Sequence, residues 1–208
     1  DFMGTLKVDN LQKEDGTAII TDGALTATQL RTAGVGRILL NTTTISGATA
    51  NVAFNSSIID TANYKNFEII ANGMSPSTDA QPFQMKFSYD NGSSFFSDGA
   101  HGGVYSRFDN TTTGAQSPQV TGTSIGLPQF TVGNADYKEK CDYHYYFYNC
   151  DESTVRVISF MVQTNADTNR YLCTTGGVWN DNQIMNYIDF RFASGNIAAG
   201  TIKVYGIV

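Results

Sequence analysis

Charge is the scarcest ingredient of this chain. Only 15% of its 208 residues are Asp, Glu, Lys or Arg, against about 25% in an average soluble domain. The 13 Lys and Arg are scattered among 19 Asp and Glu, for a formal net charge of -6. A protein that neutralises nucleic-acid phosphates needs clustered cations, so the composition argues against a nucleic-acid partner. Long apolar runs are missing as well. No stretch approaches the roughly 20 residues of a spanning helix, and the first residues lack the basic, apolar, small order of a secretory signal. No membrane insertion is expected. Asp1 and Phe2 precede Met3-Gly4, which leaves the natural start open.

Cysteine is rare and oddly numbered: Cys141, Cys150 and Cys173 have no metal-ligand spacing. Free thiols and no cofactor are expected. On one extended strand Cys141 and Cys150 would lie roughly 30 Å apart, beyond disulfide reach. Such thiols fit assembly in a reducing cytoplasm. Helical periodicity is nearly absent, since the best candidates, residues 57–63 and 134–140, reach only one or two turns.

What is present is alternation. In residues 83–89, Phe-Gln-Met-Lys-Phe-Ser-Tyr, every second position is apolar, the mark of a half-buried strand. Asp90-Asn91-Gly92 follows; its Asn-Gly step accepts positive φ and predicts a hairpin, with residues 93–97 starting the return. Further strands read at residues 36–43, 51–55, 66–71, 104–108, 143–149, 154–163, 185–193 and 201–206. In residues 155–162 the apolar phase slips between Val157 and Ile158, predicting a β-bulge or a strand buried on both faces. Short strands among Gly, Asn, Ser and Thr clusters, with no crossover helix between them, predict an all-β antiparallel sandwich of jelly-roll type over residues 34–208.

Two segments depart from that pattern. Tyr143, His144, Tyr145, Tyr146, Phe147 and Tyr148 are aromatic on both faces of one strand. Either a second layer of the same domain or a neighbouring subunit covers the outer face, and Tyr143, Tyr145, Tyr146, Phe147 and Tyr148 are the candidate subunit interface. Residues 1–33 hold two tiny apolar clusters, Leu6, Val8 and Leu11, then Ile19 and Ile20. Too small to build a core, they read as an extended amino-terminal arm that docks on a partner or on the sandwich.

Motifs with chemical meaning fail on context. Gly122-Thr123-Ser124-Ile125-Gly126 matches a nucleophile elbow. That chemistry needs a helix after the Ser and a His base in reach. Leu127-Pro128 and a β-like Phe130-Thr131-Val132 follow instead, and the chain's two histidines are His101, in a Gly-rich loop, and His144, in the aromatic strand. Gly34-Val35-Gly36 lacks the third glycine of a dinucleotide fingerprint. No two carboxylates are marked as a glycosidase pair, and the Asn- and Asp-rich turns lack an EF-hand pattern. The chain is expected to be non-enzymatic. Trp179, the single tryptophan, reads as a polar-loop residue beside Asn180 and Asp181, either a partly buried plug of that loop or, with the other two, a candidate contact for a sugar.

Three groups of residues carry a family resemblance. Gly4-Thr5-Leu6-Lys7-Val8-Asp9-Asn10-Leu11-Gln12 with Gly16-Thr17 resembles the amino-terminal arm of fibre-like virion proteins of tailed, particularly marine, bacteriophages. Ile58-Ile59-Asp60, Tyr64-Lys65-Asn66-Phe67, Pro76-Ser77-Thr78-Asp79, the run from Phe87 to Phe95 and Tyr105 are similar to the head of the jelly-roll module in such proteins. Residues 190–196 and 200–206 resemble its last hairpin. Residues 110–183 match in texture only. The resemblance implies a homo-oligomer, usually a trimer, exposed on the virion surface after assembly in the host cytoplasm. It would dock through its arm on other capsid or tail proteins, and some family members bind host surface glycans. Receptor-binding tail fibres are generally longer, with a shaft, which favours a capsid decoration or a short head or tail fibre here.

Overall fold

The structure is a computed structural model. It describes residues 11–12, 18–20, 36–95, 101–108, 113–116, 131–132, 140–164, 170–180 and 183–208. For residues 11–20, 101–116, 131 and 154–180 among these, the description covers the backbone alone. The chain divides into two compact units, Asp1–Ile38 with Val208, and Leu39–Ile207. In the first, β1 (Leu11–Gln12) pairs antiparallel with β2 (Ala18–Ile20), Leu11 opposite Ile20.

The larger unit is all strand and turn among its described residues. Its elements are β3 (Arg37–Ile45), β4 (Val52–Phe54), β5 (Asn66–Pro76), β6 (Gln81–Ser88), β7 (His101–Phe108), β8 (Thr113–Gln116) and β9 (Thr131–Val132). They continue with β10 (Cys141–Tyr148), β11 (Thr154–Thr164), β12 (Arg170–Asn180), β13 (Tyr187–Phe192) and β14 (Ile197–Ile207). One sheet runs β3-β14-β5-β10-β11-β12-β7-β8 and the other β4-β13-β6-β9.

That order is a rolled-up ribbon. Setting aside β7, β8, β11 and β12, the remaining strands pair first with last and inward: β3 with β14, β4 with β13, β5 with β10, β6 with β9. Successive pairs alternate between the sheets, which is the double Greek key of a jelly roll. The four excepted strands lie side by side and extend the larger sheet beyond β10. The expected antiparallel jelly-roll sandwich is therefore present.

The core lies between the sheets, as alternation along each strand demands. Phe67, Ile69 and Ala71 of β5, Tyr143, Tyr145 and Phe147 of β10 and Ile202 and Val204 of β14 are buried from the large sheet. Phe83, Met85 and Phe87 of β6 and Ile188, Phe190 and Phe192 of β13 are buried from the small one. Aromatic rings join the two layers: Phe83 stacks on Tyr143 at 4.9 Å, and Tyr145 lies 5.8 Å from Phe190, between centroids.

Several local expectations are corrected. Asn91 and Gly92 do take positive φ, 58° and 88°, but they do not close a hairpin. β6 pairs with β13 and β9, while β7 lies in the other sheet beside β12. Residues 57–63 form turns rather than a helix, and 134–139 lie outside the described residues. β11 keeps unbroken register with both neighbours, so the phase slip at Val157 makes no bulge. The irregularities fall instead on β10 between Cys141 and Tyr143 and on β14 between Ile197 and Thr201. His101 begins β7, and Trp179 and Asn180 end β12, so none of the three sits in a loop.

Candidate functional site

The aromatic strand β10 is central in the larger sheet, with β5 on one side and β11 on the other. Its pleat sends Tyr143, Tyr145 and Phe147 inward, where they are at most 1% exposed. Those three rings are committed to the core of their own chain. His144, Tyr146 and Tyr148 point outward, and Tyr148 stays 38% exposed. The small sheet covers the inner face of the strand, whereas His144 and Tyr146 on the outer face are half-buried.

On that outer face the Glu68 carboxylate, 5% exposed, accepts from His144 Nε2. β5 register places Glu68 opposite Tyr146 and, on its other side, Tyr205 of β14. The His144 ring lies 4.5 Å from that of Tyr146, and Tyr146 stacks with Tyr148 at 6.4 Å. The result is a hydrogen-bonded Glu68–His144 pair inside a tyrosine-rich surface.

The outer face of the small sheet is different in kind. Asp189 of β13 is fully buried, accepting from Arg191 Nε at 2.6 Å and from the Asn51 side-chain amide. Lys86 Nζ sits 5.2 Å from the Phe95 ring centroid and Arg191 5.9 Å from it, within cation–π range. Beside Asn51 an open groove of about 450 Å³ runs along the β3–β4 connection, walled by Thr43, Ser46, Thr49 and Asn51 over Ile45 and Val52.

The turn after β6 is capped from within. Ser88 Oγ accepts from the backbone N–H groups of Asp90 and Gly92 and donates to Asp90. Asp90 also accepts from Ser94 N and Oγ. These bonds hold its carboxyl down at about 2, chiefly through Ser88 and then Ser94. Asn91 bridges outward, its N–H to Asn186 Oδ1 and its Oδ1 to Ser56 N–H.

Of the remaining candidates, backbone register sets Trp179 opposite Val155 and His101, at one end of the extended sheet. Leu11 lies on β1, and Ile19 and Ile20 on β2. Leu6, Val8, Asp181 and the 122–126 glycine-rich motif lie outside the described residues. Cys141 and Cys150 are buried free thiols, and burial pushes both well above the usual thiol range. Among the described residues no group of three or more His, Cys, Asp or Glu could hold a metal ion.

Sequence reasoning missed the Glu68–His144 pair and the Asp189–Arg191–Asn51 set. Asp189 and Arg191 share a face by their spacing of two, a readable signal, but Asn51 stands 138 residues away from Asp189. No family model and no curated protein matches the chain.

Proposed function

We propose that this chain is a non-enzymatic structural component of a bacteriophage virion, a surface-exposed capsid decoration or short head or tail fibre protein that docks through its amino-terminal arm and works as a homo-oligomer, with a trimer favoured. The observation that carries the reading is where the phage-like residues fall. Phe67 on β5, Phe87 on β6, Phe190 and Phe192 on β13 and Ile202 and Val204 on β14 are all buried, so the resembling segments are the core strands of a jelly roll. That architecture recurs in viral capsid and lectin domains. Fold alone does not assign function, and the resemblance supplies the setting.

The test uses particles assembled without this chain. The added protein is expected to co-sediment with them, and Leu6→Asp with Val8→Asp in the arm to abolish that binding. Failure of the unmodified protein to bind capsids or tails would overturn the reading.

A second reading, recognition of a host surface glycan, is favoured by Trp179, in register with His101, and Asn180 standing together at the end of β12. A glycan array separates it. Binding lost in Trp179→Ala supports recognition, and no binding, or binding indifferent to the substitution, removes it.

A further inference from the structure

We infer that Asn72 is the residue at which this chain undergoes spontaneous deamidation, with Asp142 setting the rate, and that the chain's other Asn-Gly step is locked against the same reaction. The inference is independent of the virion reading.

The sequence holds two Asn-Gly steps, Asn72-Gly73 and Asn91-Gly92. In such a step the glycine nitrogen, once it has lost its proton to hydroxide, can attack the Asn Cγ and close a succinimide ring. Glycine favours this, having no side chain to obstruct the approach and a backbone free to turn. The Cγ–Nδ2 bond then breaks, and ammonia leaves with a proton taken from water, which regenerates hydroxide. Water next opens the ring at one of its two carbonyls. Opening at Cγ gives aspartate; opening at the main-chain carbon gives isoaspartate, whose backbone runs through the side chain and is longer by one methylene. No oxidant or cofactor enters.

Hydrogen bonds lock the second step. Asn91 Oδ1 accepts from Ser56 N–H at 3.0 Å, and its own N–H donates to Asn186 Oδ1. Gly92 N–H donates to Ser88 Oγ at 2.9 Å. Gly92 is also pressed on Tyr187, whose ring an added Cβ would meet at 2.7 Å. The nitrogen and the amide cannot turn toward one another without breaking these contacts.

Asn72 has fewer restraints, because it sits on a β-bulge. Asn72 and Gly73 together face Asp142 across the ladder to β10, while Gly73 and Met74 face Gly200 across the ladder to β14. Gly73 takes φ 62°. A bulge leaves its extra residue out of the ladder. Asn72 is exposed, and among the described residues its side-chain amide takes no hydrogen bond. A Cβ on Gly73 would meet nothing nearer than Lys140 at 3.8 Å, so water and room for ring closure are both at hand. One contact opposes the reaction: Gly73 N–H donates to Asp142 Oδ1 at 2.6 Å. That carboxylate holds the proton that must be lost and ties the nitrogen to β10. Conversion would set a second carboxylate beside Asp142, and isoaspartate would lengthen β5 between β14 and β10. The step therefore limits the chemical lifetime of the larger sheet.

The test is to age the whole chain in mildly alkaline buffer, folded and in urea, and to follow Asn, Asp and isoaspartate at residues 72 and 91 by peptide mapping. Circular dichroism confirms that each variant is folded. In urea both steps should convert at similar rates, since the restraints are gone. In the folded protein isoaspartate should collect at residue 72 and not at residue 91. Asp142→Ala should hasten conversion at Asn72 by about ten-fold, the effect of losing a hydrogen bond to a charged group, and leave Asn91 unchanged. Asp142→Asn keeps an acceptor oxygen and should restore most of the protection. Conversion at Asn72 no faster than at Asn91 in the folded protein, or a rate at Asn72 that a folded Asp142→Ala variant leaves unchanged, would overturn the inference.

Discussion

Asp189 is buried beneath the outer face of the small sheet and grips Arg191, its neighbour two residues along β13, at 2.6 Å. The same carboxylate orients Asn51 next to β4. One acidic group therefore ties two strands together from the solvent side, opposite the Phe54–Phe190 contact that ties them from the core side at 6.2 Å. Asp189→Ala leaves the Arg191 guanidinium and the Asn51 amide without their acceptor. A loss of about 2–3 kcal/mol is expected, read as a lower urea midpoint with unchanged slope.

Gly206 offers a packing test. It lies on the inner side of β14, where an added Cβ would stand inside the ring of Tyr64, itself 4% exposed. Gly206→Ala should destabilise by about 1–3 kcal/mol through overpacking. Because Tyr64 is the obstacle, Tyr64→Leu should recover part of that loss in the double variant, giving a non-zero coupling energy in a thermal or urea cycle.

How much of this was legible in the sequence depended on whether a strand carried its own pattern. β6 and β10 did, since each has one face in the core, and alternation at Phe83, Met85 and Phe87 or Tyr143, Tyr145 and Phe147 reports it directly. β12 did not. Its Thr174-Thr175-Gly176-Gly177 stretch has no alternation, and its place comes from hydrogen bonding to β11 and β7 on either side, so Trp179 was taken for a loop residue. The Asn91-Gly92 turn was read correctly as local geometry, but the strand it leads to was not, because β6 finds its partners a hundred residues away in β13 and through the short β9. The aromatic strand was read as two-faced, which it is; which face is committed to the core becomes clear only from the packing of Tyr143, Tyr145 and Phe147 on Phe83, Phe190 and Phe87 of the small sheet.

The thiols should be silent in the native state. Cys141 and Cys150 are fully buried, and desolvation keeps them protonated, whereas the thiolate is the reactive form. In a Cys173→Ser background, native protein at pH 8 should show no rapid reaction with a disulfide reagent, and urea-unfolded protein should release both thiols.

Asp90 titrates far below an ordinary carboxyl, at about 2 against 3.8. A depressed folded value means that its contribution is fully present above the unfolded value and is lost as pH falls through about 2. The turn over residues 90–94 should therefore hold unchanged from neutral pH down to about 4. A carboxyl titration followed by NMR should give this low midpoint, and Ser88→Ala should raise it more than Ser94→Ala, following the order of their hydrogen bonds. Coincident midpoints in wild type and Ser88→Ala would contradict the capped-turn geometry.

A cryo-electron microscopy map of the parent virion tests the central claim most directly. The account predicts jelly-roll density on the capsid or tail surface, in symmetric groups, with the amino-terminal segment running into the particle. A particle with no density for this sandwich would contradict it.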